Sequence, residues 1–284
     1  PDFIEDVMRF LDNVLSDFIN RAPDSFKDAK YSALRERSVG LGVMGFHSFL
    51  QKNSIPFESV MSKVWNNKIF KNIQIKTDEA SKKLAEERGS CPDAEEYGFN
   101  ERFSNKTAIA PTASISIICG GASPGVEPVA ANSYTHKTLS GSYNVKNKYL
   151  RRILKKHERD DDETWSTITT NQGSVSHLDF LTDHEKDVFK TAFELDQKWI
   201  VELGAERTPY VSQAQSINIF LPADVHKKEL HQIHFQSWKK GLKSLYYCRS
   251  KSIQRAENVN NGLSTKSAIK ESEDKDYDEC LSCQ

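Results

Sequence analysis

The 284 residues carry 39 Lys and Arg against 40 Asp and Glu, a formal net charge of −1, with 37% hydrophobic and 28% charged residues. That balance describes one large or two ordinary globular domains with a polar surface, and it excludes a global field able to recruit nucleic acid or an anionic membrane. No apolar run approaches the roughly 20 residues that span a bilayer, the acidic start does not read as a signal peptide, and five sparse cysteines fit a reducing cytosol.

Phe3, Val7, Phe10, Leu11, Val14, Leu15 and Phe18 recur at helical spacing from almost the first residue. Asp2 and Glu5 could cap this helix. A core-grade helix with nothing before it is expected of a chain cut at a loop inside a larger fold. Gly40, Gly42 and Gly45 then satisfy GxGxxG. A dinucleotide fingerprint needs a buried strand before it, whereas Arg35-Glu36-Arg37 precede this one. The glycines are better read as close packing for a buried helix over Phe46-His47-Ser48-Phe49-Leu50.

Residues 60–88 predict a long amphipathic helix with Val64, Ile69, Ile73, Ala80, Leu84 and Ala85 inward and Gly89 as its stop. A polar loop over 90–105 leads to Thr107-Ala108-Ile109-Ala110, short and apolar enough for a buried strand. Next comes Ala110-Pro111-Thr112-Ala113-Ser114-Ile115-Ser116. Proline suits the first position of a helix. The following N–H groups point outward unpaired at the positive end of the helix dipole, and Thr112, Ser114 and Ser116 add hydroxyls. That is the chemistry of an anion site, most often for phosphate, although an ordinary hydroxyl-capped helix start has the same composition. Placed after a strand, the stretch reads as a cradle at the C-terminal end of a parallel strand.

Ser123-Pro124-Gly125-Val126-Glu127-Pro128 is a turn-rich exit. Residues 146–159 are basic and 160–163 acidic. Without aromatic interleaving they read as an exposed helix and loop, not as a nucleic-acid patch. Thr182-Asp183-His184-Glu185 is a capping box opening a helix through Val188, Ala192, Phe193, Trp199, Ile200 and Leu203 to Gly204. Residues 216–221 alternate like a strand. Pro222 begins a helix carrying Leu230, Ile233 and Trp238 to Gly241, and Ser244-Leu245-Tyr246-Tyr247-Cys248 forms a second strand. The unit is βαβ, hence parallel. His226, His231 and His234 lack metal-binding spacing and read as surface residues or helix-end cations.

Successive strand residues face opposite sides, so one of Tyr246 and Tyr247 turns inward unless the strand bends. Such a phenol pair serves packing, or carries electrons and protons. Beyond Arg249 the apolar pattern stops, and residues 252–284 read as a flexible tail tipped by Cys280-Leu281-Ser282-Cys283. A zinc site would need two more ligands than the tail supplies, and a thioredoxin-type motif would sit at a helix N-terminus. What remains is a mobile dithiol. About 33 flexible residues after Tyr247 span roughly 30 Å root-mean-square.

Residues 35–46, 105–128 and 218–247, followed by the CxxC tail, resemble in order and spacing the C-terminal part of the large (α) subunit of class I ribonucleotide reductase. The resemblance implies an α/β fold, the C-terminal part of a ten-stranded α/β barrel with flanking helices over residues 1–250, and a flexible redox tail over 251–284. It implies a cytoplasmic reductase of ribonucleoside diphosphates. In it Pro111, Thr112, Ala113, Ser114 and Ile115 hold the substrate diphosphate. Tyr246, nearer the active-site cysteine, and Tyr247, nearer the subunit interface, relay a radical from a small subunit. Cys280 and Cys283 re-reduce the active-site disulfide for thioredoxin or glutaredoxin.

No metal or cofactor is expected on this chain. The resemblance puts a diiron-tyrosyl radical in the small subunit and nucleotide effectors on an N-terminal part. The thiyl-forming cysteine, its flanking Asn and Glu, and two reducing cysteines are expected upstream of Pro1. The chain should therefore be a split or truncated subunit that works with an N-terminal half and is inactive alone. Cys91, Cys119 and Cys248 receive no catalytic role. A non-catalytic remnant or interaction module binding the small subunit is the alternative. Neither nucleic acid nor membrane is expected as a partner.

Overall fold

The computed structural model describes residues 3–138 and 141–250. In chain order they form α1 (Phe3–Arg21), α2 (Lys27–Glu36), α3 (Phe46–Lys52), α4 (Val60–Arg88), α5 (Pro92–Glu96) and α6 (Ala113–Ile118). A hairpin of β1 (Ser133–Thr138) and β2 (Gly141–Lys146) follows. Next come α7 (Lys148–Lys156), α8 (Asp162–Thr170), α9 (Asp183–Val188), α10 (Gln197–Arg207), β3 (Ile219–Leu221), α11 (Lys227–Lys239) and β4 (Cys248–Ser250). Among the described residues no helix is long and apolar enough to cross a membrane.

Four short parallel staves lie side by side. Residues 39–41 pair with 105–108, where Leu41 bridges Thr107 in parallel and Ala108 donates its N–H to the Leu41 carbonyl. Residues 107–109 pair in turn with 213–216, Ile109 bridging Gln215 in parallel. That stave runs on into β3, which pairs in parallel with β4 and is joined to it by α11. This is the expected βαβ unit. Ile109, Ile217 and Phe220 meet Phe46, Leu50, Phe57, Phe70 and Leu203 in the main core.

The glycines of the GxGxxG stretch serve this packing. A side chain on Gly42 would collide with the carbonyl oxygen of Ala108. The close packing is as expected, but Gly40 and Gly42 serve a stave pressed against Ala108 and not the helix over 46–50. Buried Arg207 fastens the third stave to the helices around it. Its Nε donates to Gln215 Oε1 at 2.5 Å and its Nη1 to Asn66 Oδ1 at 3.2 Å. Burial lowers its pKa to about 9.

α4 spans the predicted 60–88, capped by the Ser59 hydroxyl and stopped at Gly89 with φ +85°. α1 differs from its apolar stripe. Ile4, Met8, Leu11 and Leu15 face the core, while Phe3, Phe10, Val14 and Phe18 are exposed. Asp12 is wholly buried between Arg37 (Nη2–Oδ1 2.7 Å), Arg88 (Nη1–Oδ2 2.7 Å) and Arg102 (Nε–Oδ1 2.9 Å), tying α1 to α4 and to the entry into the second stave. Burial raises its pKa, and the guanidiniums of Arg102, Arg88 and Arg37 outweigh that and hold it below the usual carboxylate value.

Three further expectations need correction. The helix predicted from 182 to 204 is two helices. The capping box of Thr182 and Glu185 opens α9 as predicted. The chain then breaks because Gln197 Nε2 donates to the carbonyls of Ala192 and Leu195, and Asp196 caps a new start through Lys198 N–H. The last helix begins at Lys227, five residues after Pro222. His226, an exposed residue as expected, is its N-cap and accepts the Lys228 N–H on Nδ1. The second strand of the βαβ unit is shifted too, because β4 begins at Cys248 after the two tyrosines.

Candidate functional site

Two features lie along the staves. The first is the stretch after the second stave. Helix α6 begins at Ala113, so Pro111 lies before the cap and not at the first helical position. The cap is Thr112, at φ +55°, a left-handed conformation that costs a β-branched residue of order 1–3 kcal/mol. What holds it there is its own side chain. The Thr112 hydroxyl accepts the Gly125 N–H at 2.7 Å instead of an amide of its own helix. The N–H groups of the first turn, at Ala113, Ser114 and Ile115, have no intrahelical acceptor. Ser114 and Ile115 are exposed, while Pro111, Thr112 and Ala113 are half-buried.

Helix α3 supports the far side of this loop. Ser48 and Ser123 exchange hydrogen bonds, Ser123 N–H to Ser48 Oγ at 2.8 Å and Ser48 N–H to Ser123 Oγ at 3.1 Å. Gly45 N–H donates to the Ser123 carbonyl at 2.8 Å. His47, fully buried, accepts the Val129 N–H on Nδ1 at 2.9 Å, and burial pushes its pKa down to about 3. Gly125 has φ +45°, and a Cβ there would press on the Ala110 carbonyl at 3.0 Å. Ala113, Ser116 and Ile117 also line a cavity of about 460 Å³ whose other walls include Gln51, Val129 and Asn132.

The second feature is the tyrosine pair. The rings of Tyr246 and Tyr247 lie 4.2 Å apart between centroids, inclined at 56°, and each residue is 42% exposed. Both rings therefore meet on one side of the chain, which regular strand alternation forbids. The backbone explains it. Tyr246 N–H donates to the Ile217 carbonyl at 2.8 Å, and Ile219 N–H donates to the Tyr247 carbonyl at 2.9 Å. Both tyrosines thus oppose the single residue Asn218, the pattern of a β-bulge. Asn218 is wholly buried, and its Oδ1 accepts the displaced Tyr247 N–H at 3.0 Å. Its own N–H donates to the buried carboxylate of Glu127 at 3.3 Å. Burial raises the Glu127 pKa, and the Arg249 charge and the Asn218 backbone N–H pull it the other way.

Asn218 and Glu127 were not among the site residues read from sequence. The signal was an Asn between Ile217 and Ile219 in an otherwise apolar stave. Cys91 is buried, Cys119 and Cys248 are exposed, and all three are free. Cys280 and Cys283 lie outside the described residues. Among the described residues no group of three or more His, Cys, Asp or Glu could hold a metal ion.

The chain matches the family model described as ribonucleotide reductase, barrel domain, over residues 2–102 and 93–248. It is 49% identical over 261 residues to a ribonucleoside-diphosphate reductase large subunit of Invertebrate iridescent virus 6, covering 90% of this chain and 27% of that protein. It is 41% identical over 285 residues to the large subunit of Invertebrate iridescent virus 3, covering 99% and 44%. Among solved structures, the class Id ribonucleotide reductase alpha subunit of Actinobacillus ureae superposes with a TM-score of 0.83 at 38% identity, covering 92% of this chain and 48% of that one. The chain spans between about a quarter and under half of the relatives it matches.

Proposed function

The chain belongs to the ribonucleotide reductase family through its barrel domain, and from that premise we propose that it contributes three working parts to the reduction of ribonucleoside diphosphates. The observation that carries the proposal is the tilted tyrosine pair, its ring centroids 4.2 Å apart. Two phenols in contact can pass an oxidising equivalent, each giving up an electron and its O–H proton in turn. Tyr246 is the member nearer the reacting cysteine and Tyr247 the member nearer a radical-bearing small subunit, whose radical is of the diiron-tyrosyl type.

The first-turn amides of α6 and the hydroxyl of Ser114 form the second part, a seat for the substrate diphosphate over Pro111, Thr112, Ala113, Ser114 and Ile115. What supports it is a cap hydroxyl committed to Gly125, which leaves those amides for an anion. The third part is the dithiol of Cys280 and Cys283, a shuttle to thioredoxin or glutaredoxin. In this reading residues 1–250 are the C-terminal part of the reductase barrel and 251–284 its redox tail. The parallel staves supply one arc of a ten-stranded closure. The thiyl-forming cysteine and the nucleotide effector sites come from sequence outside these 284 residues, so the chain is inactive alone.

Reconstitution tests this. The chain is assembled with a polypeptide carrying the remaining reductase sequence and with a radical-bearing small subunit, then given a ribonucleoside diphosphate and thioredoxin. Deoxyribonucleoside diphosphate is the expected product. A stable assembly that makes none would leave a non-catalytic interaction module as the better reading.

A further inference from the structure

We infer that Asn218 is the positioning residue that sets the Tyr246–Tyr247 pair, by supplying from its side chain the acceptor that the bulged backbone lacks. The inference rests on the radical-relay reading of the pair, which it deepens.

In a regular parallel ladder, a residue opposite Asn218 would donate to the Ile217 carbonyl and accept from the Ile219 N–H. Here two residues divide that work. Tyr246 makes the donation and Tyr247 the acceptance, and the Tyr247 N–H is left over. Leaving this part-buried N–H without a partner costs about 0.5–1.5 kcal/mol, the worth of one ordinary hydrogen bond. The Asn218 side chain removes that cost by placing Oδ1 at 3.0 Å from the Tyr247 nitrogen. The residue directly opposite the bulge is thus the one that satisfies it.

Asn218 is held at both ends for this task. Its N–H is fixed on Glu127, which leaves the turn-rich exit after α6, and its neighbours Ile217 and Ile219 are anchored in two separate cores. Its Nδ2 is buried without a hydrogen-bond partner. The Tyr247 N–H needs an acceptor, so it settles which way the amide is turned. An apolar residue would fill this space without leaving a buried donor unmet. The bond to Tyr247 is the gain that an apolar residue could not supply.

A leucine at 218 fills the site but offers no acceptor. The bulge should then relax toward regular alternation, and one ring should leave the other. An aspartate keeps the acceptor oxygen and should keep the pair together. Misplacing reacting groups by about 1 Å costs on the order of 100-fold in rate.

The test compares wild type, Asn218→Leu, Asn218→Asp and Tyr246→Phe as full chains, alone and in the assembled reductase. Hydrogen exchange at the Tyr247 amide should quicken about fivefold to tenfold in Asn218→Leu, the scale of one lost hydrogen bond, and stay near wild type in Asn218→Asp. The near-ultraviolet tyrosine dichroism should change in Asn218→Leu alone of the two. Turnover in the assembled enzyme should fall on the order of 100-fold in Asn218→Leu, with substrate binding kept and Asn218→Asp restoring most of it. Unchanged exchange at Tyr247 in a folded Asn218→Leu chain would overturn the inference, as would full turnover of Asn218→Leu where Tyr246→Phe is dead. Full turnover of Tyr246→Phe would instead overturn the relay reading, and the exchange data would still decide the role of Asn218.

Discussion

Gly125 donates its N–H to the hydroxyl of Thr112 at 2.7 Å, and this bond determines what the first turn of α6 has to offer. It spends the cap oxygen outside the helix, holds Thr112 left-handed, and ties the loop to the Ser48–Ser123 pair on α3.

Thr112→Val should therefore do two things. With a buried N–H left unmet at Gly125, stability should drop by about 1–3 kcal/mol. In the assembled enzyme the loop should loosen, raising the KM for diphosphate while kcat changes less. Thermal unfolding and initial rates check both effects. An unchanged KM would separate the loop from substrate binding.

Gly42→Ala tests the GxGxxG stretch. Because a Cβ there collides with the Ala108 carbonyl, two parallel staves must move apart. Overpacking of this kind costs about 1–3 kcal/mol. A lowered melting temperature is the expected outcome, with no dinucleotide binding by wild type in equilibrium dialysis.

How much of this was legible beforehand depends on how local the cause is. The extent of helix α4 could be read because its apolar spacing and Gly89 lie within one stretch, but Val64, expected inward, is exposed, and Asn66, Phe70 and Thr77 are buried instead. The capping box at Thr182 is local as well. The break between α9 and α10 was not read, since it needs the Gln197 side chain to fold back on Ala192 and Leu195. Asp196, a good cap residue, was the available signal. The tyrosine bulge was further out of reach. It depends on a hydrogen bond between residues 29 apart, and nothing in the spacing of Tyr246 and Tyr247 reports it. The outward-facing half of the α1 stripe shows the same limit, because periodicity finds an apolar face without saying what covers it.

Asp12→Asn should destabilise the fold by about 3–5 kcal/mol, because three guanidiniums around a buried site lose their carboxylate. The pH dependence has a definite sign. The folded pKa of Asp12 is lowered, so its contribution is present above the unfolded value near 4 and is lost as pH falls through the folded one. Urea melts at pH 7 and in acid should show wild type losing stability on acidification. Asp12→Asn should start lower and lose less.

His47 acts in a higher window. Its folded pKa of about 3 lies below the unfolded value near 6.5, so the folded state binds fewer protons between them. Stability from the neutral imidazole is full above about pH 6.5 and drains away as pH falls towards 3. His47→Gln, which keeps an acceptor for the Val129 N–H, should flatten the stability profile across that range. A profile as steep as wild type would show that another group titrates.

The most direct measurement is deoxyribonucleoside diphosphate formation by the assembled reductase carrying Tyr246→Phe. The ring and its packing on Tyr247 are kept, and only the phenol O–H is removed. Turnover should be abolished while diphosphate binding stays at the wild-type level. Turnover at the wild-type rate would contradict the assignment of the tyrosine pair as the radical relay.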